Sequence, residues 1–109
     1  MKWISFDSAS QFDTILAHKG YSIIFKHSTR CSISMMAKKR FELEWNDLPT
    51  DVPLYFIDLI KHRDISNKVA DVFKVYHESP QLLLIKDGEC ILDQSHGNIS
   101  VEEALSVLA

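Results

Sequence analysis

The hydrophobic period changes within one short stretch of this chain, and that change constrains the fold more than any other feature. Tyr21-Ser22-Ile23-Ile24-Phe25 is nearly continuous in apolar residues, as strands buried on both faces are. Beyond Lys26 the pattern switches, and Ile33, Ala37, Phe41 and Trp45 recur at helical spacing. A buried strand that hands over to an amphipathic helix is expected to belong to a sheet covered by helices.

The flanking sequence continues the alternation. Lys2 to Phe6 reads as a short strand. Ser8-Ala9-Ser10-Gln11 has the form of a capping box, opening a helix with Phe12, Ile15 and Leu16 on one face and Gly20 past its end. Asn46 to Pro53 is a turn region, and Val52 to Leu59 a third, mostly apolar strand. The spacing of Val69, Val72, Phe73 and Tyr76 predicts a helix over Asp64 to Tyr76, capped by Asp64 or Ser66. Gln81 to Lys86 and Glu89 to Gln94 are strands joined by Asp87-Gly88, a two-residue hairpin turn. Ser100-Val101-Glu102-Glu103 is a second capping box, starting a last helix through Leu105 and Leu108. The expected order is β-α-β-α-β-α-β-β-α, an α/β fold with a mixed central sheet flanked by helices.

At 109 residues, 1–109 is expected to form a single domain able to bury a core without metal or disulfide staples. A net charge of −3 gives no sign of nucleic acid or an anionic membrane as partner. The apolar runs are too short to span a bilayer, and Asp7 with several serines after Met1 does not suit a secretion signal. A cytoplasmic location is therefore expected. There, Cys31 and Cys90 are expected to be thiols rather than a structural bridge. The five histidines show no metal-ligand spacing, so no metal site is expected. Neither a glycine-rich phosphate loop nor a Gly-x-Ser-x-Gly elbow is present, and Trp3 and Trp45 are expected to serve packing.

Cys31 falls where the strand pattern gives way to the helical one. A cysteine there lies beside the first free N–H groups of a helix, and those groups with the helix dipole favour the thiolate, which is the nucleophilic form. Arg30 adds a neighbouring positive charge, and His27 adds another when protonated. A buried structural cysteine is the alternative, but Ser28, Thr29, Arg30, Ser32 and Ser34 surround it with polar groups. The position where a second cysteine would complete a dithiol pair is Ser34.

Cys90 is not expected to serve as a resolving thiol. With Asp87-Gly88 as the turn, Ile85 pairs with Cys90. The Pro80 level then lies about 16 Å away along the strand, against the roughly 7 Å that a disulfide allows between Cα atoms. The same pairing brings Ser95 level with Pro80, so His96 and Gly97 emerge near the Cys31 end of the sheet. Ser79-Pro80, at the start of an apolar strand, reads by itself as an ordinary trans proline.

Taken together, the strand, the cysteine opening a helix, the later Ser-Pro, the Asp-Gly hairpin and the last helix resemble the thioredoxin superfamily along essentially the whole chain. More narrowly, Phe25-Lys26-His27-Ser28-Thr29-Arg30-Cys31-Ser32-Ile33-Ser34 and Glu78-Ser79-Pro80-Gln81 resemble the bacilliredoxins of the YtxJ-like, monothiol kind. Their motif usually reads Thr-Cys-Pro-Ile-Ser, and Arg30 and Ser32 depart from it. The resemblance implies a cis peptide before Pro80, with Ser79 offering main-chain hydrogen bonds to a substrate added as a strand. It also implies a role in removing bacillithiol, a small thiol, from protein mixed disulfides. Dithiol thioredoxins carry a buried carboxylate at the strand position that Phe25 occupies, and with Ser34 in place of a second thiol no such group is needed.

The expected function is therefore a thiol–disulfide oxidoreductase acting through Cys31 alone, with Ser34 as a hydrogen-bond donor to the thiolate. No bound cofactor is expected, and bacillithiol is the co-substrate. The partners are bacillithiolated client proteins. Bacillithiol carries a malate group, so a cationic rim would suit it, with Arg30, His27 and His96 as candidates beside Ser79 and Pro80. Two other readings stand beside this one: an iron–sulfur cluster carrier of the monothiol glutaredoxin kind, and a non-catalytic interaction module that kept the fold.

Overall fold

The computed structural model describes residues 2–108. The chain runs β1 (Trp3–Ser5), α1 (Gln11–Ala17), β2 (Tyr21–His27), α2 (Ser32–Glu44), β3 (Leu54–Asp58), α3 (Arg63–Phe73), β4 (Gln81–Lys86), β5 (Glu89–Ser95) and α4 (Val101–Leu108), with 3-10 turns at Trp45–Asp47 and His96–Asn98. This is the element order expected from the sequence. The strands form one mixed sheet in the order β1-β3-β2-β4-β5. β3 pairs in parallel with β1 and β2, whereas β4 runs antiparallel to both β2 and β5.

β2 and β4 lie inside the sheet with helices on both faces, which is why both read as continuous apolar runs. Their side chains alternate between the two faces. Ile24, Leu83 and Ile85 join Phe12, Ile15, Val69 and Phe73 from α1 and α3. Ile23, Phe25, Leu82 and Leu84 join Ala37, Phe41 and Val101 from α2 and α4. Phe25 packs on Phe41 with ring centroids 6.0 Å apart and on Trp3 at 5.6 Å, so the position held by a carboxylate in dithiol thioredoxins belongs here to an aromatic cluster.

The Asp87-Gly88 turn forms as expected, with positive φ at both residues (51° and 84°). It is pinned to Gly20, whose N–H donates to the Asp87 carboxylate at 2.7 Å. A Cβ at Gly88 would lie 2.8 Å from the carbonyl oxygen of Leu16. The second capping box is half-formed: Glu103 N–H donates to Ser100 Oγ at 3.3 Å. Its other half passes through Gln94, which accepts from Ser100 N–H and donates to the Glu103 carboxylate. In the first box, Gln11 reaches back to accept from the N–H groups of Asp7 and Ser8, both at 2.9 Å.

Several sequence-based expectations give way to tertiary geometry. β1 and β3 are shorter than Lys2–Phe6 and Val52–Leu59. α3 ends at Phe73 rather than Tyr76, because Lys74 takes a left-handed conformation and Val75 N–H returns to the Ala70 carbonyl. Tyr76 therefore leaves the helix and is 94% exposed. Neither Asp64 nor Ser66 caps α3; His62 holds the N-cap position without a side-chain hydrogen bond. On α2 the buried face runs through Ser34, Ala37 and Phe41, leaving Ile33 54% exposed. The β4–β5 register slips by one residue between Leu84 and Ile85, so Ser95 pairs with Gln81 rather than Pro80.

Candidate active site

The loop between β2 and α2 is short and held from both sides. Cys31 N–H donates to the Ser28 carbonyl at 3.2 Å, closing a tight turn over Ser28-Thr29-Arg30-Cys31. Cys31 then takes the N-cap position of α2 with extended backbone angles (φ −112°, ψ 118°), and its carbonyl accepts the first helical hydrogen bond, from Met35. No side chain caps this helix. The N–H groups of Ser32, Ile33 and Ser34 thus lack intrahelical acceptors and gather around the Cys31 end with the positive pole of the helix dipole. The thiol is free and half-buried.

Ser34 points inward and is 0% exposed. Its Oγ lies 2.7 Å from His27 Nδ1 and accepts from Ser28 N–H at 3.0 Å. The hydroxyl expected to serve the thiolate is thus engaged with β2 and the turn. The hydroxyl thus joins the Ser28 amide of the turn to the imidazole of β2, and the tautomer of His27 sets which of Ser34 Oγ and Nδ1 donates. These bonds also explain the rotation of α2, since only an inward Ser34 can make them. His27 is 5% exposed, and burial, with the Lys38 charge acting in the same direction, holds its pKa below the ordinary 6.5; Asp58 and Glu42 oppose the shift. His27 is therefore neutral at physiological pH. The second positive charge expected beside Cys31 does not arise from it.

The peptide between Ser79 and Pro80 is cis, as the resemblance implies. Among the described residues, neither the amide nor the carbonyl of Ser79 has a hydrogen-bond partner. His96 N–H donates to the Pro80 carbonyl at 3.1 Å, so the register slip still delivers His96 to the Pro80 level. The exposed His96 ring lies 3.7 Å from the Glu78 carboxylate. Arg30 is exposed and makes no hydrogen bond among the described residues. A shallow cleft opens beside the Cys31 loop, between Trp3, Phe56, His27, Thr29, Met35 and Lys38.

Cys90 sits on β5 opposite Ile85 and packs against the α1–α3 side of the core. Burial, with the Asp93 charge adding to it, pushes its thiol up to about 11, and its Sγ lies 3.4 Å from the Leu92 carbonyl. Among the described residues, no group of three or more His, Cys, Asp and Glu side chains is placed to hold a metal ion, and no helix is long and apolar enough to cross a membrane.

A buried polar group on the other face of the sheet escaped the sequence reading. Lys26, next to His27 on β2, is 0% exposed; its Nζ lies 3.2 Å from His77 Nδ1, which Ser66 Oγ also approaches at 3.2 Å. The available signal was a lysine continuing a run of strand residues that are buried on both faces.

The family model for the monothiol bacilliredoxin BrxC matches residues 4–104. A solved structure described as having a thioredoxin fold, with oxidoreductase as its assigned role, is similar over 95% of this chain and 91% of its own, with a TM-score of 0.84 and 30% identity. Mitochondrial thioredoxin 3 from Saccharomyces cerevisiae superposes with a TM-score of 0.77 at 19% identity, covering 95% of this chain and 93% of its own. The thioredoxin of Malassezia sympodialis does so with a TM-score of 0.74 at 18% identity, covering 99% and 88%. These last two share the fold. A thiol oxidoreductase-like role agrees with the family and with the nearer structure. On this evidence the chain has the thioredoxin fold and belongs to the monothiol bacilliredoxin family.

Proposed function

We propose that the protein is a monothiol thiol–disulfide oxidoreductase that removes bacillithiol from protein mixed disulfides through Cys31. The observation that carries this reading is a half-buried cysteine at an uncapped helix start, with Ser34 where a resolving thiol would sit. In the first step the Cys31 thiolate attacks the bacillithiol sulfur of the mixed disulfide. A new S–S bond forms to Cys31, the client–bacillithiol bond breaks, and the client sulfur leaves as a thiolate that takes a proton from water. In the second step the thiolate of a free bacillithiol attacks the bacillithiol sulfur held on Cys31. Bacillithiol disulfide leaves and Cys31 returns as a thiolate. The client cysteine ends reduced, and two bacillithiol molecules end joined to each other.

The free N–H groups at the start of α2 stabilise the Cys31 thiolate each time it forms. Ser79 and Pro80 receive the client backbone, the Ser79 amide and carbonyl being unpaired among the described residues. Arg30 and His96, both exposed, face the carboxylates of the small thiol. Ser34 acts from behind by fixing the Cys31 turn, since its hydrogen bonds go to His27 and Ser28. The proposed reaction uses no resident cofactor and takes place in the cytoplasm, the location expected from the sequence.

The test is to incubate a bacillithiolated client with wild type and with Cys31→Ala, then weigh both proteins intact. The adduct mass should move to the wild type and stay on the client with Cys31→Ala. A wild type that stays unmodified beside a client that stays modified would sink the reading.

A further inference from the structure

Lys26 is costly to the fold, because the one hydrogen bond it makes brings no opposite charge to offset its burial. It is fully buried in the centre of the sheet, and among the described residues it makes no ion pair. Its contact is to a neutral acceptor, His77 Nδ1. A buried charge without an opposite charge is expensive, and an apolar side chain of similar size in its place is neutral or stabilising. Burial lowers the lysine from 10.5 to about 8, so at neutral pH it remains a cation.

The position of the contact suggests what the lysine does. His77 belongs to the loop that leads from α3 to Ser79 and Pro80, and two buried polar groups besides Lys26 reach up to that loop. Ser66 Oγ on α3 lies 3.2 Å from the same His77 nitrogen. Gln81, also fully buried and the β4 partner of Lys26, donates from Nε2 to the Tyr76 carbonyl at 3.0 Å and accepts from Glu78 N–H at 3.3 Å. Tyr76, His77 and Glu78 are themselves exposed. A solvent-facing loop is thus tied from beneath at three successive residues, and one tie starts on β2, five residues before Cys31.

We infer that Lys26 is a positioning residue that, through His77, holds the Tyr76–Ser79 loop in the shape that receives the backbone of a protein substrate. This deepens the proposed function and rests on it for its substrate. Lys26 acts on the loop and not on the sulfur, so it separates two kinds of disulfide. A protein mixed disulfide needs the loop in place. A small aromatic disulfide such as 5,5′-dithiobis(2-nitrobenzoate) needs only Cys31. The charged and titratable groups facing this tie are His77 itself, with Arg63 and Glu78 acting on its ring from α3 and from the loop.

The experiment compares wild type, Lys26→Met and His77→Ala. Lys26→Met should unfold at a higher temperature than wild type at pH 7, because the unpaired buried cation is gone. Its transfer rate from a bacillithiolated protein should nevertheless fall about tenfold through a raised KM, while its rate with the small disulfide stays within about twofold. His77→Ala should match that loss, and the double variant should lose no more than either single variant. Equal effects on both substrates, or none on either, would overturn the inference. A wild type that does not accept the protein substrate removes the proposed function. The positioning role is then read from amide hydrogen exchange at Glu78 and Ser79. Exchange should be faster in Lys26→Met than in wild type, and unchanged exchange would overturn it.

Discussion

Cys31 and Cys90 are both free and partly buried, yet their surroundings differ in kind. Cys31 stands at the N-cap of a helix, at the end of a sheet, in a turn made of polar residues. Cys90 stands near the start of β5 against an apolar core, where burial and the Asp93 charge disfavour its thiolate. Partial burial by itself therefore says little about a thiol. What differs is the backbone: unpaired helix N–H groups surround one thiol and not the other, and the proposed function gives the nucleophilic role to the first.

The largest effect that could break this contrast is in labelling. A pKa near 11 leaves about one Cys90 thiol in a thousand ionised at pH 8. Native protein exposed to iodoacetamide at pH 8 should therefore take up one label quickly, at Cys31. The second should follow only in denaturant or as the pH approaches 11. Peptide mapping that finds Cys90 labelled at a comparable rate in native protein would erase the distinction.

A smaller effect tests what holds the Cys31 turn. Ser34→Ala leaves the Ser28 amide and the buried His27 Nδ1 without their partner, which should cost about 1–3 kcal/mol, read as a shift in the urea midpoint. Transfer from a bacillithiolated client should slow in the same variant. Unchanged transfer would show that the turn keeps its shape without the serine.

The smallest effect is in the pH dependence of stability. The folded pKa of His27 lies below 6.5, so its contribution is fully present above 6.5 and is lost as the pH falls through the folded value. His77 shifts the same way and adds a parallel loss. Melting temperatures of the wild type should therefore decline below about pH 6.5, and those of His27→Asn, whose amide can replace Nδ1 as donor or acceptor, should decline less steeply. Parallel curves would mean that His27 titrates normally in the folded protein.

The site was legible only where chemistry and chain order coincide. Cys31 could be placed because a strand period ended just before it and a helical period began just after. Cys90 could be set apart because a two-residue turn fixes the pairing beside it, and that pairing survived the register slip further along the hairpin. Ser34 could be recognised as the missing second thiol, but its partners could not. Those depend on how α2 is rotated against β2, which the helical spacing read correctly at Ala37 and Phe41 but not in the first turn, where Ser34 and not Ile33 faces inward. His27 resisted for a related reason: its charge depends on burial beneath a neighbouring helix, and a polar sequence context says nothing of that.

By itself, then, the sequence determined the order of strands and helices, the two-sided burial of β2, the Asp87-Gly88 hairpin and the position of the one cysteine that heads a helix. These follow from local period, turn chemistry and alternation, each carried by residues close together in the chain. The tertiary structure decided which polar side chains are buried and against what. It turned Ser34 toward His27, set Lys26 beneath His77, and brought His96 to Pro80 across a bulge. Such pairings join residues that are distant in sequence, and their geometry is set by sheet register and helix rotation, which exist only once the elements have packed.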